Sequence, residues 1–226
     1  MPVRGEPVSR RGRPAKPPLS RRSILEAALA LIRERGVDAV SLRHVAERVE
    51  TGPASLYAYF SSRDALLEQV LDAAYSQVEL VAADAGGWRE ALAGTIGNTI
   101  DTLVAYPGLG AVALGTIPTL PGALRLAEHE LALMETGGIS GDRAALAVDL
   151  IAQFAASTAV ERTTRQDLSG GEVERGKARA AYEDADSALF PRVARSAEAL
   201  TGPGERARRD FAIEVIITGL EQSAGG

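Results

Sequence analysis

The residues best suited to chemistry in this chain lie in one short segment, from Gly52 to Phe60. Leu56 and Phe60 are four residues apart, so they share one face of a helix and would pack inward. The other side chains of the segment are polar, aromatic or small, namely Ser55, Tyr57, Ala58 and Tyr59. A tyrosine hydroxyl can bond a phosphate, and its ring can pack on a sugar or a thymine methyl. The segment predicts contacts to nucleic acid, with a core position as the alternative for either tyrosine.

Other chemistry is poorly supported by the sequence. The chain has no Cys and two His, without the spacing of a metal-binding motif, so a metal site lacks its ligands. The pair Gly108 and Gly110 lacks the further glycines and the lysine of a nucleotide-binding loop. We therefore expect no catalytic group, no cofactor and no metal, and a protein that is not an enzyme.

Charge is divided unevenly along the chain. Residues 1–63 carry 12 Lys and Arg against 6 Asp and Glu, a net charge of +6, whereas residues 64–226 carry 13 against 24, or −11. A basic segment on an acidic body indicates a polyanionic partner for the basic part alone. The lack of Cys, of a secretory signal and of an uninterrupted apolar stretch predicts a cytoplasmic protein without a membrane anchor.

Residues 1–19 form a basic arm. They hold five of the 11 prolines and five basic residues, a composition that cannot bury enough apolar surface to fold. Arg13 is the arm residue for which we predict a DNA contact. The alternative is an inert tail.

Helical periodicity begins at Ser20. Apolar residues recur at spacings of three and four up to Gly36, then again after Ser41, which suits an N-cap, and after Pro53, which fits the first position of a helix. A fourth series runs from Ser61 or Ser62 to Val81. The pattern predicts a three-helix DNA-binding domain over residues 20–66. A long helix over about 63–82 would join it to a second domain, residues 67–226.

The second domain is predicted to be helical as well. No alternating strand pattern occurs, so the fold class is all-α. The predicted helices span residues 88–105, 109–114, 122–135, 142–165, 172–199 and 205–221.

Three runs in the basic part resemble a known family. Residues 41–49 (SLRHVAERV), 52–60 (GPASLYAYF) and 63–67 (RDALL) closely resemble the DNA-binding region of the TetR family of helix-turn-helix regulators. The resemblance covers residues 12–72, roughly a quarter of the chain. It implies a symmetric dimer that represses by occupying an operator and leaves it when a small molecule enters the body.

The resemblance also implies which residues contact DNA. Arg43 is the best candidate base reader, since its guanidinium can bond guanine O6 and N7 together, and Arg63 would lie at a phosphate. Ala58 stands where many relatives carry a large aromatic residue, so their operator sequences do not transfer. The complete predicted set is Arg13, Ser41, Arg43, Pro53, Ala54, Ser55, Tyr57, Ala58, Tyr59 and Arg63.

Two segments of the body, residues 144–160 and 211–220, are apolar around more than one helix face. A helix that is apolar all round must be buried all round. One side could pack on the core and the other on a second subunit, which predicts a homodimer. The alternative is a monomer in which both helices are central.

Irregular helical packing between residues 88 and 154 could leave an apolar cavity, with an ordinary core as the alternative. A ligand there would be small and mostly apolar, with polar contacts from Thr116, His129 or Gln153. The predicted lining is Trp88, Ile96, Ile100, Leu103, Val112, Thr116, Ile117, Leu120, Leu124, His129, Gln153 and Phe154.

Three functions compete. The first is a ligand-responsive repressor at an inverted-repeat operator, and the second is a DNA-binding protein that organises chromosomes or binds partner proteins without a small ligand. The third is an all-helical enzyme. The basic segment with its recognition helix favours the first two.

Overall fold

The computed structural model describes residues 19–83, 87–167 and 171–222, and these form eleven α-helices and no strands. The all-α prediction is confirmed. In chain order the helices are α1 (Arg21–Arg35), α2 (Leu42–Arg48), α3 (Pro53–Tyr57), α4 (Arg63–Tyr75), α5 (Gly87–Val104), α6 (Leu109–Leu114), α7 (Pro121–Thr136), α8 (Gly141–Asp167), α9 (Gly171–Glu183), α10 (Pro191–Thr201) and α11 (Glu205–Gln222).

Local signals set the helix ends in the N-terminal part. Ser20 and Ser23 form a capping box at the start of α1, and Gly36 ends the helix with a φ of 76°. Ser41 caps α2, and Pro53 opens α3 at its first position. The predicted helix-turn-helix is therefore present. Its core joins α1 to α4 through buried residues that include Ile24, Val45, Leu56, Phe60 and Leu66.

The connecting helix is shorter than the sequence predicts. We expected helix over about residues 63–82, but α4 ends at Tyr75. Arg125 of α7 explains the end, because its Nη2 donates to the carbonyl oxygens of Tyr75, Ser76 and Val78 at 3.2, 3.3 and 2.8 Å. A cation from another helix thus satisfies carbonyls that a longer helix would have used internally.

The body packs α5 against α7 and α8, and α6 against α8, while α11 lies on α5 and α8. The helix predicted over residues 172–199 is wrong, since α9 and α10 are separate helices that pack on each other. The helix is interrupted between α9 and α10, where Asp186 Oδ1 accepts a hydrogen bond from the Ala188 amide at 2.8 Å. Pro191 then opens α10.

Helix α8 is long and apolar enough, by length and composition alone, to cross a membrane. In the fold one of its faces is made of small and apolar residues, among them Ala147, Ile151 and Ala155, and is buried in the core. Small side chains bring the backbones together, as at Gly110 of α6, where an added Cβ would lie 2.9 Å from the carbonyl oxygen of Ala156.

Candidate nucleic-acid interface and effector cavity

Helix α3 presents one continuous exposed surface. Leu56 is fully buried and fixes the helix to the core. The predicted contact residues around it, Pro53, Ala54, Ser55, Tyr57 and Ala58, are all exposed, and the Tyr57 residue is 61% accessible. A large aromatic side chain that is mostly exposed is available for a partner surface. The structure therefore brings five of the predicted DNA-binding residues together.

Tyr59 follows a different pattern from Tyr57. It is half-buried, packs against the core of the N-terminal part, and donates from its hydroxyl to the Leu19 carbonyl oxygen at 2.9 Å. Its own carbonyl oxygen accepts from Arg21 at 3.0 Å. The contacts favour the core alternative for this tyrosine, whose hydroxyl bonds Leu19, the last residue of the arm.

At the start of α2 the two predicted residues have separate roles. The Ser41 Oγ accepts from the His44 amide at 3.1 Å, so this hydroxyl is the helix cap. Arg43 is exposed, and its Nε donates to Glu47 Oε1 at 3.0 Å. Exposed pairs of this spacing contribute about 0.3–0.5 kcal/mol. The Arg43 guanidinium can therefore leave Glu47 for a DNA group at little cost.

Arg63 is used within the protein. Its Nε donates to the Val40 carbonyl oxygen at 2.8 Å and its Nη2 to that of Val37 at 3.0 Å. These bonds brace the start of α4 against the turn between α1 and α2. The geometry favours this bracing role over the predicted phosphate contact. Arg13, the remaining predicted residue, lies outside the described residues.

The predicted cavity lining is only partly brought together. Ile96, Ile100 and Leu103 are buried, whereas Trp88, Val112, Thr116, Leu120, His129 and Phe154 are half-buried. Three predicted members face outward, namely Ile117, Leu124 and Gln153. Ile117 is 86% exposed in the non-helical segment before α7. Leu124 points away from the inner face of α7, and Gln153 lies on the outer face of α8, where its amide bonds Asp149.

A narrow crevice with a cavity volume of only about 10 Å³, room for about one water molecule, lies between α4 and the segment before α7. Tyr75, Thr116, Leu120 and Ala123 are among its lining residues. His129 is not among the lining residues, and its Nε2 bonds the Val81 carbonyl oxygen at 3.0 Å instead. The crevice therefore includes two of the predicted lining residues and adds the buried Tyr75.

Sequence reasoning missed Glu130. This residue lies on the inner face of α7 and is only 3% exposed, and burial raises the pKa of its carboxyl group to about 8. Burial, and then the charge of Glu130, raise the pKa of Tyr75 to about 12. The signal in the sequence was a lone acidic residue in the series Ala123, Leu126, Glu130, Leu133, with helical spacing and otherwise apolar.

Helices α4 and α7 cap each other. Asp72 Oδ1 on α4 accepts from the Ala123 amide in the first turn of α7 at 3.0 Å. In the other direction, Arg125 of α7 donates three hydrogen bonds to carbonyl oxygens at the end of α4. Gly122 lets the backbones meet, because a Cβ there would lie 2.3 Å from the Asp72 carbonyl oxygen. The two helices are thus joined by hydrogen bonds and by close backbone contact, and the other end of α4 packs in the core of the helix-turn-helix.

Comparison with known proteins extends over both parts of the chain. Residues 24–70 match the bacterial regulatory proteins of the tetR family, and residues 82–224 match the tetracyclin repressor-like C-terminal domain. The tetracycline repressor protein class A from transposon 1721, from Escherichia coli, is 27% identical over 200 residues, which is 88% of each protein.

Solved structures agree with this result. Apo ActR from Streptomyces coelicolor has a TM-score of 0.85 and 29% identity, over 93% of this chain and 99% of ActR. ActR in complex with actinorhodin has a TM-score of 0.84 and 29% identity, over 92% of this chain and 100% of ActR. The likeness therefore includes the body as well as the helix-turn-helix.

Proposed function

Because the chain belongs to the TetR family of bacterial regulatory proteins, we propose that it acts as a homodimer on an inverted-repeat operator and leaves it when a small molecule binds in the body. As a member of this family it is a DNA-binding transcriptional regulator and not an enzyme. The proposed site of action is operator DNA in the cytoplasm. The observation that carries the proposal is that α3 presents an exposed surface while its Leu56 is fully buried and holds the helix on the core.

The DNA contact is proposed for α2 and α3. In a helix-turn-helix the second helix enters the major groove and the first crosses the backbone. Ser55, Tyr57 and Ala58 would face base edges and sugars, and Arg43 would exchange Glu47 for a guanine. Arg63 is left to hold the domain together. The arm, including Arg13, would follow phosphates or a minor groove.

The dimer contact is proposed for the outer faces of α8 and α11. Leu146 and Leu150 on α8, and Phe211 and Val215 on α11, are large apolar side chains that a single chain leaves exposed. Each pair is one helical turn apart, and the two helices touch each other within one chain. The four side chains therefore suit a self-complementary interface between two copies.

Release from DNA is proposed to run through α7 and α4. A ligand that enters the crevice beside Tyr75 and Leu120 would displace α7. Since Asp72 and Arg125 join the two helices, α4 would follow and shift the recognition helices of the dimer. Coupling of this kind is reciprocal, so a ligand that weakens DNA binding a hundredfold binds the DNA-bound form a hundredfold more weakly.

Selection of bound sites from random DNA tests the proposal. We expect the selected sites to be inverted repeats with half-sites spaced by whole helical turns, because the symmetry of the dimer is mirrored in the DNA. Tyr57→Ala should abolish the enrichment, whereas Tyr182→Ala, which changes an exposed tyrosine far along the chain on α9, should retain it. Selected sites without a dyad would refute the operator proposal.

A further inference from the structure

The last residue of the arm is fastened to the segment that follows α3. The Tyr59 hydroxyl donates to the Leu19 carbonyl oxygen at 2.9 Å, and the Tyr59 carbonyl oxygen accepts from Arg21 Nη2 at 3.0 Å. The Arg21 guanidinium also lies 5.0 Å from the centre of the Phe60 ring. Leu19 itself packs against the core of the N-terminal part. These contacts fix the point at which residues 1–18 join the fold.

This point lies beside the surface that is proposed to contact DNA. Tyr59 directly follows Tyr57 and Ala58, which are exposed, so residues 1–18 join the fold next to the C-terminal end of α3. An extended chain spans at most about 3.6 Å per residue, so Arg13 can lie up to about 20 Å from Leu19. The grooves of DNA are only about 12 and about 6 Å wide. Arg13 can therefore reach the minor groove next to the major groove that α3 would occupy.

The arm holds residues that suit a narrow minor groove. Residues 10–14 have the sequence RRGRP. The narrow minor groove of A·T tracts has an enhanced negative potential that attracts inserted arginines. Gly12 has no Cβ, so the backbone between Arg11 and Arg13 can approach the base pairs closely. A G·C pair places the guanine amino group in this groove, where it obstructs that approach.

We propose that residues 10–14 read A·T base pairs in the minor groove adjoining each half-site, and that Tyr59 is a positioning residue for them. The inference rests on the operator binding proposed for α2 and α3, and it adds a second element of sequence recognition. Contacts to phosphates alone carry no sequence information. The sequence predicts that Tyr59 touches DNA itself, but its hydroxyl bonds Leu19 and so holds the end of the arm beside the groove.

The anchor acts by limiting the positions open to the arm. A tethered group binds at an effective concentration that the length and stiffness of its tether determine. When the bond from Tyr59 to Leu19 is lost, the tether becomes longer and its direction is no longer fixed. We expect the DNA affinity to fall about threefold for each arm. Because a dimer has two arms, the losses multiply to about tenfold.

Operators that differ only beside their half-sites test which groove is read. The base pairs on both sides of each half-site are all A·T, all G·C or all inosine·cytosine. Inosine lacks the guanine amino group, so its pair with cytosine resembles A·T in the minor groove and G·C in the major groove. Fluorescence anisotropy at one low salt concentration measures the affinities. Wild-type protein should bind the A·T and inosine·cytosine operators similarly and the G·C operator at least about tenfold more weakly.

Variants of the arm separate reading from charge. Deletion of residues 1–18 should lower the affinity and remove the preference for A·T, and Arg13→Ala should remove most of the preference. Arg4→Ala removes the same charge outside residues 10–14. It should lower the affinity for all three operators about equally, because a phosphate contact is independent of sequence.

A double-mutant cycle tests the anchor. Tyr59→Phe removes one hydroxyl and should weaken binding to the A·T operator about tenfold in the full chain, but should have no effect in the protein without residues 1–18. Tyr182→Phe removes the hydroxyl of an exposed tyrosine on α9 and should keep the wild-type affinity and preference. Circular dichroism checks that each variant is folded.

Four results would overturn the inference. They are equal wild-type affinity for the A·T and G·C operators, inosine·cytosine operators that bind as G·C operators do, a Tyr59→Phe protein that binds A·T operators as the wild type does, and a Tyr59→Phe loss that persists without residues 1–18. An inverted-repeat operator without any preference beside its half-sites contradicts this inference and leaves the proposed function standing. Selected sites without a dyad contradict the operator proposal instead, and the three sets of base pairs are then compared around the single selected half-site.

Discussion

Phe211→Ala is expected to dissociate the proposed homodimer. Phe211 lies on the outer face of α11 and is 72% exposed in a single chain. Val215 follows it one turn later, and Ile213 and Ile217 face the core instead. Removing the Phe211 side chain therefore changes the outer face of the helix and leaves its packing within the chain intact.

The magnitude follows from the exposed area. A phenylalanine buries about 150–250 Å² when fully covered, so an exposure of 72% leaves roughly 140 Å² for a partner. At about 25 cal/mol per Å² this area is worth about 3.5 kcal/mol in each copy. A two-fold interface contains the residue twice. If only half of the area is covered, the dimer still loses about 3.5 kcal/mol, or roughly 300-fold in its dissociation constant.

Sedimentation velocity over a range of concentrations measures this change. Ile117→Ala is the matched control, because Ile117 is a large apolar side chain of even greater exposure that lies in the segment between α6 and α7 and is not part of the proposed interface. It should dimerise as the wild type does. A Phe211→Ala protein that dimerises with unchanged affinity while remaining folded by circular dichroism would refute the assignment of the interface.

Three further outcomes are expected. Arg63→Ala should lower the free energy of unfolding by about 2 kcal/mol, because two charge-assisted hydrogen bonds are lost. Arg43→Ala should leave thermal unfolding unchanged and relax the DNA sequence preference at one base pair per half-site. The reverse pattern would contradict both roles. Gly122→Ala should destabilise the protein by about 1–3 kcal/mol through the clash between α7 and α4, and an unchanged melting temperature would contradict the close contact. The folded-state pKa of Glu130 is raised to about 8 from 4.5, so its contribution to stability is present below pH 4.5 and is lost as the pH rises to about 8. Over this range the free energy of unfolding, measured with denaturant, should fall by at most about 1.4 kcal/mol per pH unit. Glu130→Gln should remove this fall, and Glu128→Gln should retain it.

The sequence by itself determined the helix-turn-helix. Ser41 as a cap, Gly36 as a helix end and Pro53 as a helix start act on their own backbone, and the structure has each of them at the predicted position. The family resemblance added the function, because it lies in the same segment. Signals that act over three or four residues do not depend on the remainder of the fold.

Only the tertiary structure decided the roles that depend on distant partners. Arg63 resembles a phosphate ligand in the sequence, yet it bonds carbonyl groups more than 20 residues away. The length of α4 was set by Arg125 of α7, which no local pattern connects to Tyr75. Glu130 was overlooked because an acidic residue on a helix is usually solvated, and its burial depends on how α7 meets the two cores. Periodicity gives a helix its faces, but the choice of what covers each face is made by the packing of the whole chain.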